Sequence, residues 1–200
     1  MWSKDHKGES GDMASRGSYE LKCWTVRAHL SQAAKLSAFP EVLAKLPAPT
    51  RQALEALPLA AAWMDGMVLQ DLLVAVDAVC GIEAARQVSL GAQETSIGPL
   101  LMPIVSGLLR VFGATPNTLL SRFSDMTRTQ LRGIALRWTL EDSRKGCLLA
   151  TFPHGGNQRA AFIGFETSCE YMLRLCRVNG NVSPTEITDD GKVGTIRVEW

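Results

Sequence analysis

The sharpest periodic signal in the chain lies over Gln158–Val178. Phe162, Phe165, Cys169, Met172 and Cys176 recur there at steps of three and four, which places them on one face of a helix. Leu173 widens that face, and Arg159, Glu166, Glu170, Arg174 and Arg177 fall away from it. Gly155-Gly156-Asn157 before the segment and Asn179-Gly180 after it supply helix-breaking chemistry at both ends. On either side of this helix the period changes to two. In Gly133–Glu141, Ile134, Leu136, Trp138 and Leu140 alternate with Ala135, Arg137 and Thr139, the pattern of a strand with one buried face. Turn residues Asp142–Gly146 join it to a second strand, Cys147–Phe152, so a hairpin is expected. Thr185–Thr188 and Gly194–Trp200 read as two further strands, with Asp189–Lys192 as the turn between them. In the last of these, Ile196, Val198 and Trp200 share a face, which predicts that the end of the chain is tucked into the sheet.

The first half reads differently. Tyr19–Val26 predicts a short strand and Val26–Ala38 a helix. Phe39–Leu57 is helical but broken at Pro47 and Pro49, with Thr50 as an expected N-cap for its second piece. Met64–Val79 carries apolar residues at helical spacing and is stopped by Gly81. Ile82–Leu90 is a further helix, and Gly91–Gly98 is looser. Leu100–Phe112, bent at Pro103 and stopped at Gly113, and Pro116–Phe123, capped by Thr115, complete the helical part. Met1–Ser18 is polar and glycine-rich and predicts a disordered tail. Helices first and then strand-strand-helix-strand-strand predict an α+β fold: N-terminal helices packed with a small antiparallel sheet. The expected organisation is a tail over 1–18 and a single domain over 19–200, helical over 26–124, with the sheet and its covering helix over 133–200.

Composition narrows the function classes. Lys and Arg total 21 against 20 for Asp and Glu, a balance that gives no electrostatic reason to expect nucleic acid as a partner. The most apolar run, Ile97–Val111, is interrupted by Pro99, Pro103 and Gly107, so no membrane span is expected, and Met1–Ser18 has no apolar segment of the signal-peptide kind. The five cysteines contain no CxxC pair. Cys169 and Cys176 lie about 10 Å apart along one helix, too far for a bridge. Reduced thiols and a cytoplasmic protein follow.

Catalytic and metal motifs are missing. No phosphate-binding loop, HExxH or GxSxG occurs, so His154-Gly155-Gly156 has no nucleophile elbow to serve as an oxyanion loop for. His6, His29 and His154 are widely separated, which argues against a metal site and leaves a haem without a diagnostic ligand motif. A Cys/His dyad of Cys169 or Cys147 with His154 is weakened by the position of Cys169 in the middle of the apolar face. No metal, no cofactor and no enzyme activity are expected.

Three stretches carry a family resemblance: LSAFPEVLAKLPAPTRQAL, LLRVFGATPNTLLSRF, and AFIGFETSCEYMLRLCRVNGNV with the closing GTIRVEW. Together they resemble a family of short proteins heavily duplicated in myxobacteria. That family is similar in layout to vinyl-reductase-type small-molecule-binding domains, haem-nitric-oxide-binding domains and the Bet-type subunits of the TRAPP tethering complex. The resemblance implies helices packed on a short antiparallel sheet with a cleft between them, and sensing or scaffolding more than catalysis. The cysteine pair of the first branch has no counterpart in Pro184–Trp200, and the proximal histidine and Tyr-x-Ser-x-Arg motif of the second are not recognisable. Two readings follow. The first is a non-enzymatic interaction or scaffold module in a signalling or regulatory assembly, with a protein partner or a homodimer. The alternative is a sensor domain that binds an apolar small molecule between the C-terminal helix and the sheet. Its candidate pocket wall is Trp138, Phe162, Phe165, Cys169 and Met172, adaptable side chains of the kind found around apolar ligands.

Overall fold

The computed structural model describes residues 19–97, 103, 107 and 115–200, and they form an α+β fold. The tail, and the helix expected over Leu100–Phe112 apart from Pro103 and Gly107, lie outside the described residues.

Strand β1 (Glu20–Lys22) passes directly into helix α1 (Cys23–Ala33). The strand stops short of Val26 because the Cys23 and Trp24 amides donate to the carbonyls of Ala62 and Ala60, at 2.9 and 3.0 Å. A helix start needs partners for its first amides, and a loop distant in sequence provides them. Helices α2 (Phe39–Lys45) and α3 (Ala48–Glu55) each carry proline in the first turn. Thr50 does not cap α3, because its hydroxyl donates to the Asp71 carboxylate. Met64, expected in the next helix, instead lies in strand β2 (Trp63–Asp65), paired with Leu21 of β1. Asp65 then accepts a hydrogen bond from the Met67 amide at 2.9 Å and opens α4 (Met67–Cys80). Gly81, with φ of +86°, separates α4 from α5 (Ile82–Ala92). The segment expected to be loose is the end of α5 and a π-helical turn, Gln93–Ile97. Thr115 caps α6 (Pro116–Leu120) through the Thr118 amide at 3.2 Å, as its sequence predicts. Helix α7 (Phe123–Thr127) follows.

Two antiparallel sheets result. Strand β3 (Leu131–Arg132) completes a three-stranded sheet in the order β2-β1-β3. The larger sheet holds the predicted hairpin of β4 (Ala135–Asp142) and β5 (Lys145–Thr151). Strand β8 (Val193–Glu199) pairs with β5 on one side. On its other side it pairs with β6 (Asn181–Val182) and β7 (Glu186–Ile187). The chain end is therefore a central strand. Strands β6 and β7 form one interrupted edge: Pro184 has no amide to give, and the Thr185 amide turns inward rather than to β8.

Helix α8 (Arg159–Leu175) is the segment with the sharpest period. Its predicted role as a cover for the sheet is only half of its position. Phe162 seats on β8 at Gly194, where any added Cβ would strike its ring. The other side of α8 packs on α4 and α5. The helix is thus a middle layer, and Glu166, Thr167 and Ser168 are buried along with the apolar face. The buried apolar residues of the helices and of the larger sheet form one contiguous cluster.

Candidate ligand-binding cavity

A cavity of about 90 Å³ lies on the helical side of α8. Leu21 of β1, Leu69 and Leu73 of α4, Phe123 of α7, and Phe152 and Phe165 supply apolar wall. Polar groups enter the wall at Thr25, His29, Gln70, Gln93, Gln130 and Ser168. Gln93 is fixed by hydrogen bonds from its Nε2 to the Ser168 hydroxyl at 2.9 Å and to the Gly164 carbonyl at 3.4 Å. It stands where α5 passes into the π-helical turn, a local geometry often found at functional sites.

His29 is 2% exposed and bridges three helices. Its Nδ1 donates to the Thr25 carbonyl at 2.8 Å, and its Nε2 lies 3.3 Å from the Ser89 hydroxyl. Ser89 in turn is 2.8 Å from the Thr167 hydroxyl of α8. Burial pushes the His29 pKa down to about 4, so the ring is neutral at physiological pH. Two other polar atoms at the cavity differ from these: Thr25 Oγ1 and Gln130 Oε1 are buried with no hydrogen-bond partner among the described residues. Buried polar oxygens are rarely left unpaired.

Gly164 is the unusual wall residue. It sits inside α8, and a Cβ built on it would meet nothing within 4 Å. Glycine in a helix interior costs about 0.5–1 kcal/mol relative to alanine. Here that cost is not offset by close packing of a neighbour, since the space beside it is open.

Of the residues expected to form the pocket wall, the structure places only Phe165 on this cavity. Met172 lines a smaller space of about 10 Å³ beside it. Phe162 packs edge-on against Phe152 at 5.0 Å, sits against Gly194 between α8 and the larger sheet, and does not line this cavity. Cys169 is fully buried, and burial with Glu166 nearby pushes its thiol pKa well up. Trp138 lies over Gly146, donates to Asn117 at 2.9 Å and neighbours Trp200 at 6.2 Å, away from the cavity. The pocket therefore lies between α8, the N-terminal helices and β1, not between α8 and the larger sheet. The physical reason is that the sheet-facing side of α8 interlocks with β8, while its other side carries Gly164.

Glu166, assigned by its period to solvent, is 0% exposed. Its Oε1 accepts from the Thr185 amide at 2.9 Å and the Thr185 hydroxyl at 2.6 Å, and lies 3.7 Å from Arg159 Nε. Its Oε2 accepts from Arg86 at 2.5 Å, and Arg86 also reaches Glu170 at 3.1 Å. Paired this fully, a carboxylate can be buried. It ties α5, α8 and the β6–β7 edge together.

The remaining candidates do not assemble a reaction centre. His154 stacks on Tyr19 at 5.9 Å. Burial pushes the Cys147 and Cys176 thiols up, the latter to about 11, the wrong direction for a nucleophile. The Gly156 amide already donates to the Asp190 carbonyl at 2.6 Å, so it is not free to serve an oxyanion. Among the described residues no group of three metal-binding side chains gathers, and no helix is long and apolar enough to cross a membrane.

Neither a protein-family profile nor a curated relative matches the chain. Solved structures do. The Fe(II) unliganded H-NOX protein from K. algicida aligns with a TM-score of 0.61 at 10% identity, over 90% of this chain and 96% of that one. An oxygen-binding H-NOX domain related to soluble guanylate cyclases aligns at 0.54 and 11%, over 90% and 94%. A structure concerned with haem redox potential and porphyrin distortion aligns at 0.53 and 9%, over 90% and 100%. The chain shares the H-NOX fold. Of the three branches the sequence resembles, this bears on the haem-nitric-oxide-binding one. The myxobacterial family, the vinyl-reductase-type domains and the TRAPP subunits gain no support. The expectation of a protein partner or homodimer is overturned as well: the neighbours are domains described by haem and oxygen, small molecules, and none speaks for a protein partner.

A haem does not fit the described residues. A cavity of about 90 Å³ is well below the ~300 Å³ at which pockets for drug-sized ligands begin. Both nitrogens of His29 are engaged. Among the described residues no Lys or Arg lines the cavity to meet propionates. Residues 98–114, all but Pro103 and Gly107 outside the described part, contain no His, Cys or Tyr, which leaves Met102 as their one residue of an axial-ligand type.

Proposed function

We propose that this chain is a non-enzymatic sensor domain that binds a small molecule in the cavity between α8 and the N-terminal helices. The observation that carries the reading is Gly164. A helix selected for stability alone would place alanine there, since the space beside it accepts a Cβ freely. Glycine keeps that space in the cavity. The fold likeness to H-NOX domains supports sensing over scaffolding, and the engaged ring nitrogens of His29 argue for a ligand other than haem. The five free cysteines support a cytoplasmic setting.

Xenon-pressure NMR tests the reading. Methyl signals of Leu21, Leu69, Leu73 and Ile134, which line the cavity, should shift with xenon in the wild type and stay still in Gly164→Leu, whose side chain fills the space. A folded wild type whose cavity methyls ignore xenon refutes it.

A further inference from the structure

The polar part of the wall specifies what the cavity takes. We infer that its ligand is a compact, neutral molecule that donates a hydrogen bond, with Gln130 Oε1 as the principal acceptor and Thr25 Oγ1 as the second polar contact. This rests on the proposed ligand-binding role and goes beyond it by naming a chemical class.

Size sets the first limit. A cavity of about 90 Å³ is smaller than the ~150 Å³ engineered cavity that accepts benzene, so a molecule of a few heavy atoms matches it. Charge sets the second. Among the described residues no Lys or Arg lines the wall, and His29, held neutral by burial, has both nitrogens occupied, so none of these groups would compensate an anion. No Asp or Glu among the described residues lines it either, so a cation is equally unmatched. Hydrogen bonding sets the third. Several polar groups of the wall are committed: Gln93 Nε2 to Ser168 and Gly164, the Tyr19 hydroxyl to the Gly66 carbonyl at 2.8 Å, and the Thr127 hydroxyl to the Phe123 carbonyl at 2.9 Å. Gln130 Oε1 and Thr25 Oγ1 alone among the described buried side-chain atoms of this wall have no partner. A carbonyl oxygen can only accept, so the complementary ligand group is a donor; the threonine hydroxyl can serve either way. A short-chain alcohol has this chemistry, with its alkyl part against Leu73 and Phe165.

The matched probes are 2-propanol and acetone, close in size and with the same heavy-atom connectivity, of which only the first donates a hydrogen bond. Cavity-methyl NMR titration of the full chain should show 2-propanol binding about fivefold more tightly than acetone, the range one neutral hydrogen bond supplies. Propionate should not bind. Gln130→Leu should remove the preference while xenon still shifts the same methyls, which shows the cavity intact. If acetone binds as well as 2-propanol, or Gln130→Leu keeps the preference, the inference is overturned and the cavity's role as a binding site stands. If xenon, acetone and 2-propanol all leave the wild-type methyls unmoved, both fall. A stoichiometric Soret band on haemin titration, lost in His29→Leu, also overturns it.

Discussion

Replacing Glu166 by glutamine keeps its shape and removes its charge. The Thr185 amide and hydroxyl can still be accepted by Oε1 of the new amide. The side facing Arg86 changes from acceptor to donor, so the 2.5 Å contact becomes donor against donor. Loss of a charge-assisted hydrogen bond costs about 1.5–3 kcal/mol. Breaking an isolated buried pair costs about 3–5 kcal/mol, because the surviving charge is stranded. Arg86 is not stranded: it is 19% exposed and retains Glu170 at 3.1 Å. The lower range therefore applies, and we expect a loss of about 2–3 kcal/mol. For a chain of this size each kcal/mol moves the thermal midpoint by about 2–4 °C, so Glu166→Gln should lower Tm by about 4–12 °C. Thermal unfolding followed by circular dichroism, with urea titration for the free energy, reads both. Glu170→Gln, at a side chain 28% exposed, should cost under about 1 kcal/mol. A Glu166→Gln midpoint within about 1 °C of wild type, or a Glu170→Gln loss of equal size, would refute the tie between α5, α8 and the β6–β7 edge.

Three further outcomes follow from the same geometry. Gly164→Ala should stabilise the fold by about 0.5–1 kcal/mol in urea unfolding, because a mid-helix glycine gains a Cβ that meets open space; destabilisation would show that the space is not there. Phe162→Ala should cost about 3–5 kcal/mol and Phe165→Ala clearly less, since Phe162 is enclosed on all sides and Phe165 borders the cavity; equal losses would contradict that assignment. His29 should make stability pH-dependent. Its folded pKa of about 4 lies below the ordinary histidine value of 6.5. The unfolded state therefore binds the proton first, and stability is full above pH 6.5 and falls as pH drops toward 4. Integrated over that window the loss is about 3 kcal/mol. His29→Leu should flatten the slope in urea midpoints measured between pH 4 and 7, and an unchanged slope would assign it to other groups.

What was legible in the sequence is what local pattern controls. The alternation of Leu136 and Trp138 identified β4, the three-and-four spacing identified α8, and Thr115-Pro116 identified the start of α6. These signals are complete within a few residues. Strand β2 escaped because three residues carry no period, and it exists only because Leu21 pairs with Met64. Glu166 was misplaced for a related reason. A charged residue opposite an apolar stripe belongs in water unless it is paired, and its partners Arg86 and Thr185 lie 80 and 19 positions away, outside any local window. The same non-locality hid the pocket. Trp138, Phe162 and Cys169 have the composition of a ligand wall, but composition does not say which side of a two-sided helix closes tightly. Phe162 presses on Gly194 so closely that no Cβ fits there; Gly164, two positions after Phe162, has room for one. That glycine was visible within the strongest helical segment of the chain, where helix propensity disfavours it. A partly buried residue that weakens an otherwise well-formed helix, with no neighbour pressing against it and a cavity beside it, is a more specific sign of that cavity than the aromatic residues around it, because aromatic side chains serve cores and pockets alike.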